Sequence, residues 1–110
     1  MTESKSSPLA ITVDRDGETT TIVVAGEVDL ETSAALSDAL DEVVTAGRVT
    51  LDLTEVAYMD STGLRAILVA KDDIERAGGT LEVSAASKIV SRLIEISGVG
   101  GLLSDGPPNP

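Results

Sequence analysis

The sequence predicts a small α/β domain: a mixed sheet of four to five strands, opened by an antiparallel hairpin, with helices packed against it. Three observations carry this prediction. Apolar residues switch repeatedly between alternation at every second position and a stripe at every third or fourth, the periods of strand and helix. The order of these periods is ββαβαβα, and strand–helix–strand units of this kind give parallel pairs with right-handed crossovers. The chain has 110 residues, one domain's worth, which buries enough surface for one core without staples.

Leu9, Ile11 and Val13 alternate with small or polar residues as a half-buried strand does. Asp16-Gly17 follows as a hairpin turn, where Gly supplies positive φ at little cost, and 19–25, rich in Thr, Ile and Val, is the returning strand. The period then changes. Leu36, Leu40, Val43 and Val44 mark one face of a helix capped by Thr32 or Ser33 and closed by Gly47. Val49, Leu51 and Leu53 form the third strand, and a second helix runs over 62–77 to the stop at Gly78-Gly79. Its buried face has two candidates, Ile67, Ala70, Ile74 and Ala77, or Leu64, Ile67 and Leu68. Residues 80–84 are a short fourth strand. Ser87 caps a third helix with Val90, Leu93 and Ile94 inward, and Leu102-Leu103 are placed to dock as a last short strand. The domain spans 9–104 between two tails, 1–8 and 105–110. The Gly-rich stretch Gly98-Val99-Gly100-Gly101 follows a helix and lacks the Lys-Ser/Thr ending of a phosphate loop, so it reads as a helix stop.

Composition removes many functions. With no Phe or Trp, and Tyr58 the only aromatic residue, the core is aliphatic. The absence of Cys excludes disulfides and thiolate chemistry, and the absence of His removes the usual general base and the commonest metal ligand. Ser-His-Asp and Cys-His catalysis cannot be built from this chain alone. An oxygen-only magnesium site stays open, but the sequence calls for no metal or cofactor. Nineteen acidic residues against eight basic ones give a formal charge of −11. Direct binding to nucleic acid is not expected without a basic patch, and a partner protein with a basic surface would be drawn in. The polar N-terminus has no apolar signal-peptide core, and no apolar run approaches the length of a membrane span; membrane insertion is not expected and the expected location is the cytoplasm.

One segment breaks local rules. Asp60-Ser61-Thr62 puts three potential N-caps in a row ahead of the second helix, where one suffices. Gly63 then costs up to about 1 kcal/mol relative to Ala in a helix interior, a cost that makes sense where a backbone or ligand must come close. The segment also lies at the carboxyl end of a strand, where open α/β sheets gather their ligands. A phosphate on Ser61 could be accepted by the helix N-terminus and would add about −1.5 to −2 charge. Gly26-Glu27-Val28-Asp29 occupies a comparable place after the second strand, so Asp29 would share the rim with Ser61 if the strands are neighbours. A redundant cap at Asp60-Ser61-Thr62 and a simple turn at Asp29 explain the same residues without function.

Gly26-Glu27-Val28-Asp29 and Tyr58-Met59-Asp60-Ser61-Thr62-Gly63-Leu64 resemble the two signature segments of the anti-sigma-factor antagonists, the STAS-domain family, and element order and spacing match over about 9–104. The resemblance implies a STAS-type fold and a binding protein that is not an enzyme. It implies that Ser61 is the serine phosphorylated by a partner that is both kinase and anti-sigma factor. The unphosphorylated form would bind that partner and release its sigma factor, phosphorylation would end the binding, and a phosphatase would reset it. The surface implied comprises Asp29, Asp60, Ser61, Thr62, Gly63 and Leu64, with Thr62 the lesser candidate acceptor and Arg65 at a position that bears on partner choice. Two rival functions accompany this one. An accessory or scaffold subunit of a lipid transporter or stress-sensing complex would share the fold. A magnesium-dependent aspartyl-phosphate receiver would need clustered acids after its first parallel strand and a late Lys, and the opening hairpin leaves them no counterpart.

Overall fold

Strands β1 (Leu9–Asp16) and β2 (Thr19–Val28) form the opening hairpin, paired antiparallel from Asp16↔Thr19 to Leu9↔Gly26. Gly17 takes the turn at φ 64°, as the Asp16-Gly17 signal requires. The fold is that of a computed structural model, which describes residues 9–102; the two predicted tails and Leu103 lie outside them. After the hairpin come helix α1 (Ser33–Asp41), strand β3 (Arg48–Met59), helix α2 (Ser61–Arg76), strand β4 (Thr80–Ala86), helix α3 (Lys88–Ile96) and a 3-10 turn at Gly100–Leu102.

The sheet order is β1-β2-β3-β4, antiparallel in the first pair and parallel in the others. The crossovers β2–α1–β3 and β3–α2–β4 step in the same direction, so right-handed connections put both helices on one face. Register keeps the two faces distinct. Ile22, Leu51 and Val83 lie in one row, and Thr21, Thr50 and Glu82 in the next. The first row is buried and joins Leu36 and Leu40 of α1, Ile67 and Ile74 of α2, and Val90 and Ile94 of α3 in a single aliphatic cluster. The second row faces outward, where the Thr21 and Thr50 hydroxyls pair at 3.0 Å. On α2 both candidate stripes contribute: Leu64, Ile67, Ala70 and Ile74 are buried, Leu68 is half-buried and Ala77 is exposed.

Four expectations need correction. The third strand does not stop after Leu53 but runs to Met59. Its register against β2 slips between Val23 and Ala25 and again between Gly26 and Glu27, and each slip adds one residue to β3. Burial therefore recurs at Leu51, Leu53, Val56 and Met59, spacings of two then three, which no strand period anticipates. The first helix ends at Asp41 rather than near Gly47. From Val43 the backbone bonds reach back three residues instead of four, Val43 N–H to Leu40 at 3.1 Å and Ala46 N–H to Val43 at 2.9 Å. Val43, Val44 and Thr45 are β-branched and crowd a helical turn; Val43 is nonetheless buried. Thr32 and Ser87 precede their helices without a side-chain cap. The Ser87 hydroxyl instead donates to the Val56 carbonyl at 2.7 Å, fastening the start of α3 to β3. Leu102 docks in the core from the 3-10 turn and not from a strand, so the sheet among the described residues has four strands.

The first slip in β3 is held by Asp52, whose Oδ1 accepts the Thr54 N–H at 3.0 Å. Hydrogen bonds from the Thr54 side chain and backbone hold its carboxyl below the ordinary carboxylate range. A folded pKa depressed in this way gives stability that is present above the unfolded value and lost as pH falls through the folded one. Asp52→Ala is expected to lower stability by about 1 kcal/mol at neutral pH. The gap from the parent, measured by urea denaturation, should close in acid.

Candidate functional site

The two slips in β3 carry its end level with the end of β2, so that Val28 lies opposite Met59. The next residue on each chain is then an aspartate, Asp29 and Asp60. The Asp60 N–H donates to the Val28 carbonyl at 3.1 Å, fastening the two loops together. The structure thus brings the two predicted segments to one rim, at the carboxyl end of the central parallel strands.

Asp60 is the cap that α2 uses. Its Oδ1 accepts the Thr62 N–H at 2.9 Å and the Gly63 N–H at 3.3 Å, while its carbonyl accepts the Leu64 N–H at 3.2 Å. Ser61 is therefore released from capping. It is the first residue of the helix, exposed, and its hydroxyl makes no hydrogen bond to the described residues. Thr62 is half-buried beside it. The two spare caps are now unequal, since Ser61 is exposed to solvent and Thr62 is half-buried, bordering the depression between α1 and α2 that includes Ser33 and Ser37.

Gly63 answers to packing and not to a ligand. A Cβ there would stand 2.5 Å from Val28 Cγ1 and 3.0 Å from Met59 Cγ, both on buried side chains. The glycine lets the start of α2 sit directly on the ends of β2 and β3. Gly63→Ala is expected to cost about 1–2 kcal/mol, the overpacking penalty less the gain in helix propensity. Chemical denaturation should also show the double variant with Val28→Ala losing less than the sum of the two single losses, because the smaller side chain makes room for the added methyl. Leu64 is only 4% exposed and belongs to the core, so its predicted place in the recognition surface amounts to supporting the helix start from below.

Asp29 is half-buried and occupied by its own loop. Its Oδ1 accepts the Glu31 and Thr32 N–H groups at 3.0 and 3.1 Å, and the Thr32 Oγ1, which accepts the Asp29 N–H at 2.9 Å, donates to the Glu27 carbonyl at 2.8 Å. These bonds set the loop between β2 and α1, and at its tip they leave Leu30 76% exposed. Sequence reasoning missed Leu30. Its signal was an apolar residue between two acids, Asp29 and Glu31, in a segment with neither strand nor helix period. Two shallow depressions flank the site. One, of about 450 Å³, is lined by Ser61, Thr62, Leu64, Arg65 and Leu68. The other, of about 250 Å³, lies between α1 and α2 and includes Thr62, Arg65 and the half-exposed Val69. Arg65 borders both and is their one basic residue. Among the described residues no group of three or more acids is placed to hold a metal ion.

The family described as Mlab, STAS domain, matches residues 11–104. The chain belongs to the STAS-domain family. The anti-sigma-B factor antagonist of Listeria monocytogenes is 35% identical to this STAS domain over 92 residues, 82% of this chain and 81% of that one. Among solved structures, an anti-sigma factor antagonist from Mycobacterium paratuberculosis superposes with a TM-score of 0.78 at 24% identity, covering 91% of this chain and 88% of that one. The Bacillus cell fate determinant SpoIIAA in its phosphorylated form gives 0.69 at 18% identity, covering 86% and 88%. These two likenesses establish a shared STAS fold. Within that fold, the exposed hydroxyl of Ser61, the fastened loops and the acidic rim are features of this chain's own residues.

Proposed function

We propose that this STAS domain is an anti-sigma factor antagonist, and that phosphorylation of Ser61 switches its binding off. In the unphosphorylated state it binds an anti-sigma factor that is also a serine kinase, and the sigma factor held by that kinase is set free. The observation that carries this reading is the position of Ser61: exposed and free of capping duty on the rim that Asp29 and Asp60 share. The 35% identical relative is named an anti-sigma-B factor antagonist. A protein of the same fold is known in phosphorylated form, so the fold tolerates a phosphate.

The chemistry belongs to the partner. The Ser61 oxygen attacks the γ-phosphorus of ATP, a new O–P bond forms, the bond to the bridging oxygen of ADP breaks, and the hydroxyl proton passes to a base on the kinase. A phosphatase acting on the phosphoserine hydrolyses the ester and restores the hydroxyl. Asp60 holds the helix start that presents Ser61, Thr62 and Gly63 form its first turn, and Leu64 anchors it. Asp29 shapes the neighbouring loop with Leu30 at its tip. The protein acts by binding and carries out no catalysis of its own. Such a role is cytoplasmic, and among the described residues no helix is long and apolar enough to cross a membrane.

The test is incubation with the anti-sigma kinase and ATP, with the phosphosite mapped by mass spectrometry. Phosphate on Ser61 in the parent and none on Ser61→Ala is the expected result. A kinase that leaves Ser61 unmodified and binds Ser61→Glu as well as the parent would overturn the switch. Co-purification with a membrane permease in place of an anti-sigma factor would select the accessory-subunit function instead.

A further inference from the structure

The expectation that the N-terminus of α2 would receive a phosphate on Ser61 meets an obstacle in the structure. The Asp60 carboxylate already occupies the Thr62 and Gly63 N–H groups, and the Leu64 N–H is bonded to the Asp60 carbonyl. Of the first-turn donors only the N–H of Ser61 itself remains. Asp60 is also an anion one residue away, so a phosphate there would sit against like charge with little local compensation.

One group is placed to compensate it. Arg65 follows Ser61 by four residues on α2, one helical turn along the same face, and the two line the same depression. An anion four residues N-terminal to a cation is the favourable order for such a pair on a helix. Both are exposed, and Arg65 makes no hydrogen bond or ion pair among the described residues. The guanidinium is planar and can donate two parallel N–H bonds to phosphate oxygens.

We infer that Arg65 is the positioning residue for the phosphoserine, folding back along α2 to hold the phosphate on Ser61. This deepens the proposed function and rests on Ser61 being the modified residue. The consequence is a double change at the recognition surface. Phosphorylation adds a dianion, and it also withdraws the one cation that borders both depressions, so a partner carboxylate that met Arg65 before modification loses its counterpart.

The experiment uses the full chain with phosphoserine incorporated at position 61 during translation, so that it needs no kinase. The second ionisation of the phosphate is followed by phosphorus NMR in the Arg65 parent, Arg65→Gln and Arg65→Lys. A nearby guanidinium favours the dianion, so the apparent pKa should be roughly 0.15–0.4 higher in Arg65→Gln than in the parent. Arg65→Lys should fall between them, and Asp60, present in all three, cancels in the comparison. The Arg65 Nε–H should also exchange more slowly with solvent in the phosphorylated parent than in the unmodified protein. Identical phosphate titrations in the parent and Arg65→Gln, or an unchanged Nε–H, would overturn the inference. The outcome is separable from that of the kinase assay: an unmodified Ser61 there would refute the proposed switch, while the titration still reports whether Arg65 holds a phosphate at this position.

Discussion

Phosphorylation of Ser61 is expected to weaken binding to the anti-sigma factor by at least about 100-fold, which is about 2.7 kcal/mol. The rim carries Glu27, Asp29, Glu31 and Asp60 before any modification. A partner that docks there must answer these carboxylates with basic or donor groups spaced for them. The phosphate adds a charge of about −1.5 to −2 where a neutral hydroxyl stood, and burying it in the interface strips its hydration. Like-charge juxtaposition at an interface costs several kcal/mol, so 100-fold is the low end of the expectation. Isothermal calorimetry with the unmodified and phosphorylated proteins measures it. Ser61→Ala should bind within a few-fold of the unmodified protein, and Ser61→Asp, with one charge in place of nearly two, should lie between. Raising the salt concentration should narrow the gap, since exposed charges are screened beyond a Debye length of about 8 Å at physiological ionic strength. Equal affinities for the modified and unmodified proteins would end the electrostatic account.

The largest effect on stability is expected at the other end of the sheet. A Cβ on Gly79 would stand 2.2 Å from the Gly47 carbonyl oxygen, 3.0 Å from its carbon and 3.1 Å from Ile74 Cγ2. The first two of these are backbone atoms and cannot rotate away as the end of a side chain can. The same oxygen accepts the Thr80 N–H at 2.8 Å, the bond that begins the pairing of β3 with β4. Gly79→Ala must therefore separate the two loops or break that bond. A cost of about 3 kcal/mol is expected, at the top of the usual overpacking range. This corresponds to a fall in Tm of roughly 15 °C for a domain of this size. Gly101→Ala is the control, since nothing lies within 4 Å of its added Cβ. Comparable melting of the two variants would show that the loops can part without loss.

Most of the fold was legible because the element order follows from period alone. A two-residue alternation cannot be mistaken for a helical stripe over Leu9–Asp16 or Ser61–Arg76, and the Asp16-Gly17 turn fixed the hairpin. Illegibility began where two elements had to fit each other. The extra residues in β3 are defined only against β2, so Val56 and Met59 carried no strand signal in isolation. The end of α1 depended on how three β-branched residues settle against the core. At the site, the excess of caps and the position of Gly63 were visible, but their assignment was not. Which of Asp60, Ser61 and Thr62 caps the helix depends on backbone geometry, and the reason for Gly63 lies on Val28, 35 positions earlier in the chain. Leu30 was invisible for a related reason, because exposure at a loop tip is set by the bonds that Asp29 and Thr32 make beneath it.

The hydrogen bond from Asp60 N–H to the Val28 carbonyl has a thermodynamic meaning for recognition. Together with the Asp29 and Thr32 bonds it ties both loops down in the absence of a partner, which reduces what association must order. Interfaces assembled from mobile loops lose part of their binding free energy to that ordering. Here that entropy is given up during folding, so loop ordering is not subtracted from the affinity a second time. In the proposed switch the two states of this surface differ in charge at Ser61 and in the placement of the Arg65 side chain, with no rearrangement of the backbone needed to deliver the change.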